Sequence, residues 1–141
     1  MTNVARELRV TGAGGGDPTE RYQLLDIQFL TELYGDDKEY AACMLETFVD
    51  SVLPEFAVIH EQIQAQRWAD VHPAIHKLRP TVLMVGLTHL EASLILLESL
   101  LFKQDQADRI NAIWQDFYTT LQSQHPLLEA EWQRYLTTPN L

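Results

Sequence analysis

The sequence predicts an all-α protein, an antiparallel four-helix bundle with a short extra N-terminal helix. Apolar residues recur every three to four positions from about residue 24 to residue 136. The same stretch has no sustained two-residue alternation and no Asn-Gly or Asp-Gly hairpin signal. The connections between the periodic segments are short, so successive helices should pack antiparallel. With 141 residues, of which 46% are apolar, the chain can form one domain with a proper core.

The first part of the chain should not join this bundle. Residues 1–22 contain the run Thr-Gly-Ala-Gly-Gly-Gly-Asp-Pro, which would lose much backbone entropy on ordering and has little apolar surface to bury. The run also lacks the Gly-Lys-Ser/Thr of a phosphate-binding loop. We therefore expect a flexible glycine-rich tail over residues 1–22 and the helical domain over residues 23–141.

Two helices are predicted in the first half of that domain. The first covers residues 26–34, with Asp26 as its cap and Gly35 as its stop. The second has Asp36 or Asp37 as its cap and runs to about residue 66, and Pro54 should bend it. Its inward positions are Ala41, Met44 or Leu45, Phe48, Val52, Phe56, Ile59 and Ile63.

Three further segments complete the predicted bundle. The third helix covers residues 68–85 and ends at Gly86. Thr88 and Glu91 form a capping-box pattern for a fourth helix that reaches about residue 102. Asp105 can cap a fifth helix, and the His125-Pro126 pair either kinks it or starts a sixth piece through residue 136.

The third helix places one histidine on its outer side. Its inward stripe is specified by residues three and four apart, namely Val71, Ile75, Leu78, Val82 and Val85. On a helical wheel His76 lies roughly 140 degrees from the centre of that stripe. Arg79 lies one turn ahead of it on the same flank, and His72 lies one turn behind. The imidazole should therefore face water and be free for chemistry or recognition.

Apolar residues also fall on this outer half of the third helix. Pro80, Leu83 and Met84 surround the histidine, where an isolated bundle would favour charged side chains. Such a cluster is typical of a docking surface for another protein. The alternative is that a neighbouring helix covers Leu83 and Met84.

The segment from Ile75 to Leu90 resembles the signature of histidine-containing phosphotransfer (HPt) domains. The likeness lies in His-Lys-Leu-Arg at residues 76–79 and in Gly-Leu at residues 86–87. Four residues after its histidine the family most often has glycine, whereas this chain has Pro80. Because proline has no N–H for the carbonyl of His76, we expect the helix to open just beyond the histidine and make room for a partner.

The resemblance implies a function as a phosphotransfer intermediate in a two-component phosphorelay. His76 would be the phosphoacceptor, because a neutral imidazole offers a nucleophilic ring nitrogen. Arg79 would stabilise the charge of the phosphoryl oxygens, Lys77 is a weaker candidate for that task, and Gly86 would be structural. The implied partners are response-regulator receiver domains and a hybrid histidine kinase. The chain itself would need no cofactor, since the receiver domain brings the Mg²⁺.

Charge and composition exclude several other classes. A net charge of −10, from 20 acidic and 10 basic residues, disfavours binding to nucleic acid and to anionic membranes. Cys43 is the only cysteine and lies in an apolar helical stretch, so we expect a buried free thiol in a reducing compartment. Residues 1–10 lack a secretion-signal pattern, and no apolar run is long enough to cross a bilayer. These features predict a cytoplasmic protein.

Two other interpretations remain open at this stage. His72 and His76 have a spacing that could hold a transition metal, with His89 as a third ligand from the next helix. The chain could also be an adaptor bundle of HPt shape that never receives phosphate. Either way, the sequence contains no nucleotide-binding loop, and we expect no ATP-dependent kinase activity of its own.

Overall fold

The computed structural model describes residues 22–103 and 106–138, and every regular element within these ranges is helical. A π-helical turn, Phe48–Val52, joins the second and third helices, and a 3₁₀ turn, Thr88–Leu90, precedes the fifth. The α-helices are α1 (Ile27–Tyr34), α2 (Lys38–Thr47), α3 (Leu53–Gln64), α4 (Trp68–Met84), α5 (Glu91–Lys103) and α6 (Ala107–Thr137). The predicted all-α class is confirmed.

The helices form a four-helix bundle with α1 as an addition. The continuous unit of α2, the π turn and α3 is the first bundle helix, and α4, α5 and α6 follow. Helix α4 packs between α3 and α5, while α6 contacts α5 and closes the bundle against α2 and α3. The core is apolar and includes the fully buried Trp114 and Trp132. Both the bundle and the short N-terminal helix agree with the prediction.

The predicted bend at Pro54 takes the form of a widened helical turn. The N–H of Leu53 donates to the carbonyl of Phe48, five residues earlier, instead of to the residue four earlier. Proline has no N–H, and its ring would clash with the carbonyl one turn before it in a regular helix. A single wide turn relieves that clash and lets the helix continue.

Helix α4 ends in a Schellman motif. The N–H of Gly86 donates to the carbonyl of Leu83, and the N–H of Leu87 donates to that of Val82. Gly86 has φ +84°, and a Cβ there would lie 2.9 Å from a methyl carbon of Leu30. Glycine is therefore required both by the backbone conformation and by the close packing of α1.

A buried carboxylate attaches the N-terminal segment to α6. The side chain of Glu131 is 1% exposed and accepts hydrogen bonds from the backbone N–H groups of Gln23, Leu24 and Leu25 at 2.7, 3.0 and 2.9 Å. Three donors satisfy the oxygens of an acid that would otherwise be costly to bury.

The C-terminal end of α4 supplies the remaining attachment of α1. Its last carbonyl groups, at residues 84–86, accept hydrogen bonds from the Tyr34 hydroxyl, the Trp132 indole and the Asp26 N–H, respectively. Asp26 also caps α1, as predicted, by accepting from the N–H of Phe29. This network fixes the end of the helix that carries His76.

Two local predictions were wrong. Thr88 and Glu91 do not form a capping box within the described structure, because the Thr88 hydroxyl bonds the carboxylate of Asp26 and Glu91 faces Arg79. Cys43 is exposed and not buried. It lies on the outer face of α2, whose fully buried side chain is Ala41.

Some predictions concern the two ends of the chain and the segment before the last helix. Residues 1–21 of the predicted tail and the predicted cap Asp105 lie outside the described residues. The last helix is continuous through Pro126, so no sixth piece begins there. None of the described helices combines the length and the apolar character needed to span a membrane.

Candidate functional site

His76 stands on the outer face of α4, as the helical wheel predicted. All the residues of the inward stripe are buried, namely Val71, Ile75, Leu78, Val82 and Val85. The side chain of His76 is 66% exposed. Because the opposite face is fixed in the core, the ring is held at the surface by the packing of its own helix.

Glu98 on α5 determines the orientation and tautomer of this ring. Its Oε1 lies 2.9 Å from His76 Nδ1. An ionised carboxylate can only accept, so Nδ1 carries the proton, and in the neutral ring the lone pair is on Nε2. No described residue forms a hydrogen bond to Nε2. The nitrogen that is free to react is therefore the one farther from the backbone.

The same carboxylate holds Arg79. Glu98 Oε2 lies 2.7 Å from Arg79 Nε, and Glu91 Oε2 lies 3.7 Å from Arg79 Nη1. The angles at the contact between Arg79 Nε and Glu98 Oε2 do not fit a hydrogen bond, so the contact is an ion pair. Glu98 is only 16% exposed. One largely buried carboxylate thus bridges the histidine and the guanidinium.

Sequence reasoning missed both glutamates. Glu91 and Glu98 are seven residues apart and so share one face of α5. That spacing is visible in the sequence, but it does not reveal which helix the face meets. The contact with His76 depends on how α5 is positioned along α4, and this position is set by the packing between the two helices.

Lys77 points to the other side of α4. Its Nζ lies 2.9 Å from Glu55 Oε1 on α3, and both side chains are exposed. On the helical wheel Lys77 lies about 100 degrees round from His76. To reach a group bound on His76, its ammonium would have to leave Glu55.

The side chains predicted to contact a partner differ in how far they are exposed to solvent. Pro80 and Met84 are exposed, while Leu83 and His72 are partly buried. The ring of His72 lies 6.5 Å from that of Phe102 on α5. Neighbouring helices therefore cover Leu83 only in part, and α5 contributes an aromatic residue that the sequence analysis did not include.

The three histidines that were considered as metal ligands do not form a metal site in the part of the chain that the structure describes. His89 Nε2 lies 3.1 Å from the side-chain oxygen of Gln124 on α6. Within residues 22–103 and 106–138, no three His, Cys, Asp or Glu side chains are arranged to hold a metal ion. His60 accepts a hydrogen bond from the Trp114 indole and stacks on Tyr118, between α3 and α6.

His76 lies on an open surface and outside the pocket formed by α3, the π turn and α6. That pocket has a volume of about 310 Å³. Its lining residues are Val49, Leu53, Pro54, Tyr118, Leu121, Gln122 and His125. A side chain that is 66% exposed and outside this pocket is accessible to a macromolecule, whereas small molecules are usually bound in concave sites.

One of three comparisons with known proteins found a match. A family model described as "Hpt domain" matches residues 44–136, which is more than half of the chain. The matched range includes α4 with His76 and α5 with Glu98. Searches of curated proteins and of solved structures found no match.

Proposed function

Because the chain belongs to the Hpt domain family, we propose that it accepts a phosphoryl group on His76 from a receiver-domain aspartate and passes it to another receiver. Hpt domains in general carry out histidine phosphotransfer in phosphorelays, together with kinases and receiver domains. The observation that carries the proposal for this chain is the exposed His76 ring, whose Nδ1 is held by Glu98 at 2.9 Å.

The transfer step follows from that tautomer. The lone pair of Nε2 attacks the phosphorus of an aspartyl phosphate, in line with the bond to the carboxylate oxygen. A P–N bond forms as the P–O bond breaks, and the electron pair of the broken bond returns to the aspartate carboxylate. No proton has to move. The ring acquires positive charge, which Glu98 stabilises through the Nδ1–H group.

Arg79 is placed to stabilise the phosphoryl oxygens. It lies one helical turn from His76, and its contacts with Glu98 and Glu91 keep the guanidinium near the ring before a phosphoryl group arrives. A preordered cation stabilises developing negative charge at a smaller entropic cost. Lys77 is the weaker candidate, because its ammonium lies on the α3 side of α4, next to Glu55 and away from the ring of His76.

The donor and the Mg²⁺ should both come from the partner. Phosphoryl transfer from aspartate needs a divalent cation near the phosphoryl oxygens, and we assign that ion to the receiver domain. A hybrid histidine kinase would supply the phosphoryl group to the relay. The partner would dock over His72, Pro80, Leu83 and Met84, which surround His76, in a small and transient interface.

Mixing the protein with phosphorylated receiver domains tests the proposal. Receivers from a panel are phosphorylated with acetyl phosphate and Mg²⁺, freed of excess donor and added to the wild type or to His76→Gln. We expect acid-labile, base-stable phosphate on the wild type and none on the variant. If no receiver in the panel transfers phosphate to the wild type, the proposed function fails and the adaptor interpretation takes its place.

A further inference from the structure

One face of α5 next to His76 carries two exposed apolar side chains, Ile95 and Phe102. Glu91, Ile95, Glu98 and Phe102 follow one another at intervals of four, three and four residues and so line the same side of the helix. Ile95 is 46% exposed and Phe102 is 81% exposed, which is the largest value among the exposed large apolar side chains of the described residues. Bundle helices normally carry polar residues at such positions.

This face is continuous with the site. Glu98, one turn before Phe102, bonds His76, and the Phe102 ring lies 6.5 Å from that of His72. Phe102 therefore lies on one side of the histidine along the bundle axis, while Leu83 lies on the other. The apolar surface around His76 extends over two helices.

We propose that Phe102 is the main apolar anchor for the protein domain that exchanges phosphoryl groups with His76, and that Ile95 extends this contact along α5. The inference rests on the proposed function and names the part of the surface that recognises the partner.

The size of a transient interface supports this assignment. Such an interface buries roughly 600 Å² on each partner, which corresponds to a disc of about 14 Å radius. One helical turn rises about 5.4 Å, so a disc centred on His76 reaches past the neighbouring turn at His72, where Phe102 lies, and past Leu83 on the other side. A partner that reaches Nε2 from solvent would cover Phe102.

The charge of the surface favours a protein over an anionic polymer or membrane. Arg79 is paired with Glu91 and Glu98, so the surface has no excess of positive charge there, and the chain as a whole has a net charge of −10. An uncovered aromatic ring beside partly neutralised charges matches the composition of protein interfaces, where aromatic residues are the usual hot spots.

The test compares two phosphodonors on the full chain. Phosphoramidate is a small donor that needs no docking surface, since its P–N bond breaks with loss of ammonia as the bond to His76 Nε2 forms. A phosphorylated receiver domain, selected as the best donor to the wild type, needs the surface. Wild type, Phe102→Ala, Phe102→Leu and Leu127→Ala are compared. Leu127 is the control, because it is also an exposed apolar residue but belongs to α6 and not to the two helices that carry His76 and Phe102.

We expect Phe102→Ala to raise the half-saturating receiver concentration by about tenfold or more, with the rate at saturation within about twofold of wild type. Phosphorylation by phosphoramidate and the thermal unfolding temperature should stay at wild-type values. Phe102→Leu should recover part of the loss, and Leu127→Ala should behave as wild type.

Several outcomes would overturn the proposal. If Phe102→Ala shows the wild-type half-saturating concentration while the wild type accepts phosphate normally, only the role of Phe102 is refuted. A fall in the rate at saturation or in the phosphoramidate reaction would also refute a docking role. If no receiver transfers phosphate to the wild type, the proposed function itself fails, and the role of Phe102 fails with it.

Discussion

Replacing Glu98 by glutamine removes the charge beside His76 and keeps a hydrogen-bond acceptor. The side-chain carbonyl of glutamine can still bond Nδ1, so the ring should keep its orientation and its tautomer. What is lost is the attraction between the carboxylate and the positive charge that develops on the ring during transfer. Glu98→Gln therefore tests the charge of this residue while the orientation of the His76 ring is kept.

The expected magnitude follows from the geometry. Two unit charges about 4 Å apart interact by about 4 kcal/mol at an effective dielectric constant of 20. Glu98 shares its charge with Arg79 at 2.7 Å, and only part of the ring charge has developed in the transition state. We therefore expect a loss of about 1–2 kcal/mol, which slows transfer roughly 5- to 30-fold.

The assay measures phosphoryl transfer from a phosphorylated receiver domain at saturating concentration. Glu55→Gln is the matched control, because Glu55 also pairs with a basic residue of α4 at 2.9 Å but lies on the α3 side. We expect the control to transfer at the wild-type rate. A folded Glu98→Gln protein that transfers as fast as wild type would refute the electrostatic role of this carboxylate.

Three further predictions concern the stability of the fold. Glu131→Ala leaves three buried backbone N–H groups without their acceptor and should lower the free energy of unfolding by about 3 kcal/mol or more, measured by urea denaturation; an unchanged midpoint would contradict the attachment of the N-terminal segment. Gln66, just after the end of α3, has φ +57°, a conformation that glycine adopts without strain. Gln66→Gly should therefore stabilise the protein by up to about 1 kcal/mol, measured by thermal unfolding. A lower stability of this variant would show that the contacts of the glutamine side chain matter more than the backbone strain. Burial raises the pKa of Tyr34 to about 12, with smaller contributions from Tyr40 and Tyr135. Between about pH 10 and 12 the hydroxyl stays protonated in the folded protein and ionises in the unfolded chain, so up to about 3 kcal/mol of stability is present below pH 10 and lost above it. Urea titrations over this range should show a shallower fall for Tyr34→Phe, and identical slopes would contradict the shift.

Features that depend on one helix could be predicted from the sequence. The inward stripe of α4 and the outward position of His76 follow from the helical period alone, and both are observed. The caps of α1 and α2 were also predicted, because a capping side chain bonds a backbone group only three residues away.

Features that depend on two helices could not be predicted in this way. The contact between Glu98 and His76 spans 22 positions in the chain and requires the register of α5 on α4. The capping box failed for the same reason, since Asp26 lies 62 residues from Thr88 and competes for its hydroxyl. Pro54 indicated a bend, but a one-residue pattern does not tell a kink from a π turn.

The most direct test of the central claim is the position of the phosphoryl group on the imidazole. After transfer from a phosphorylated receiver, ³¹P–¹⁵N correlation spectra of the protein labelled in its histidine rings identify the bonded nitrogen. Since Glu98 holds Nδ1, the phosphorus should couple to Nε2 of His76. A bond to Nδ1, or to the ring of another histidine, would contradict the site described for this protein.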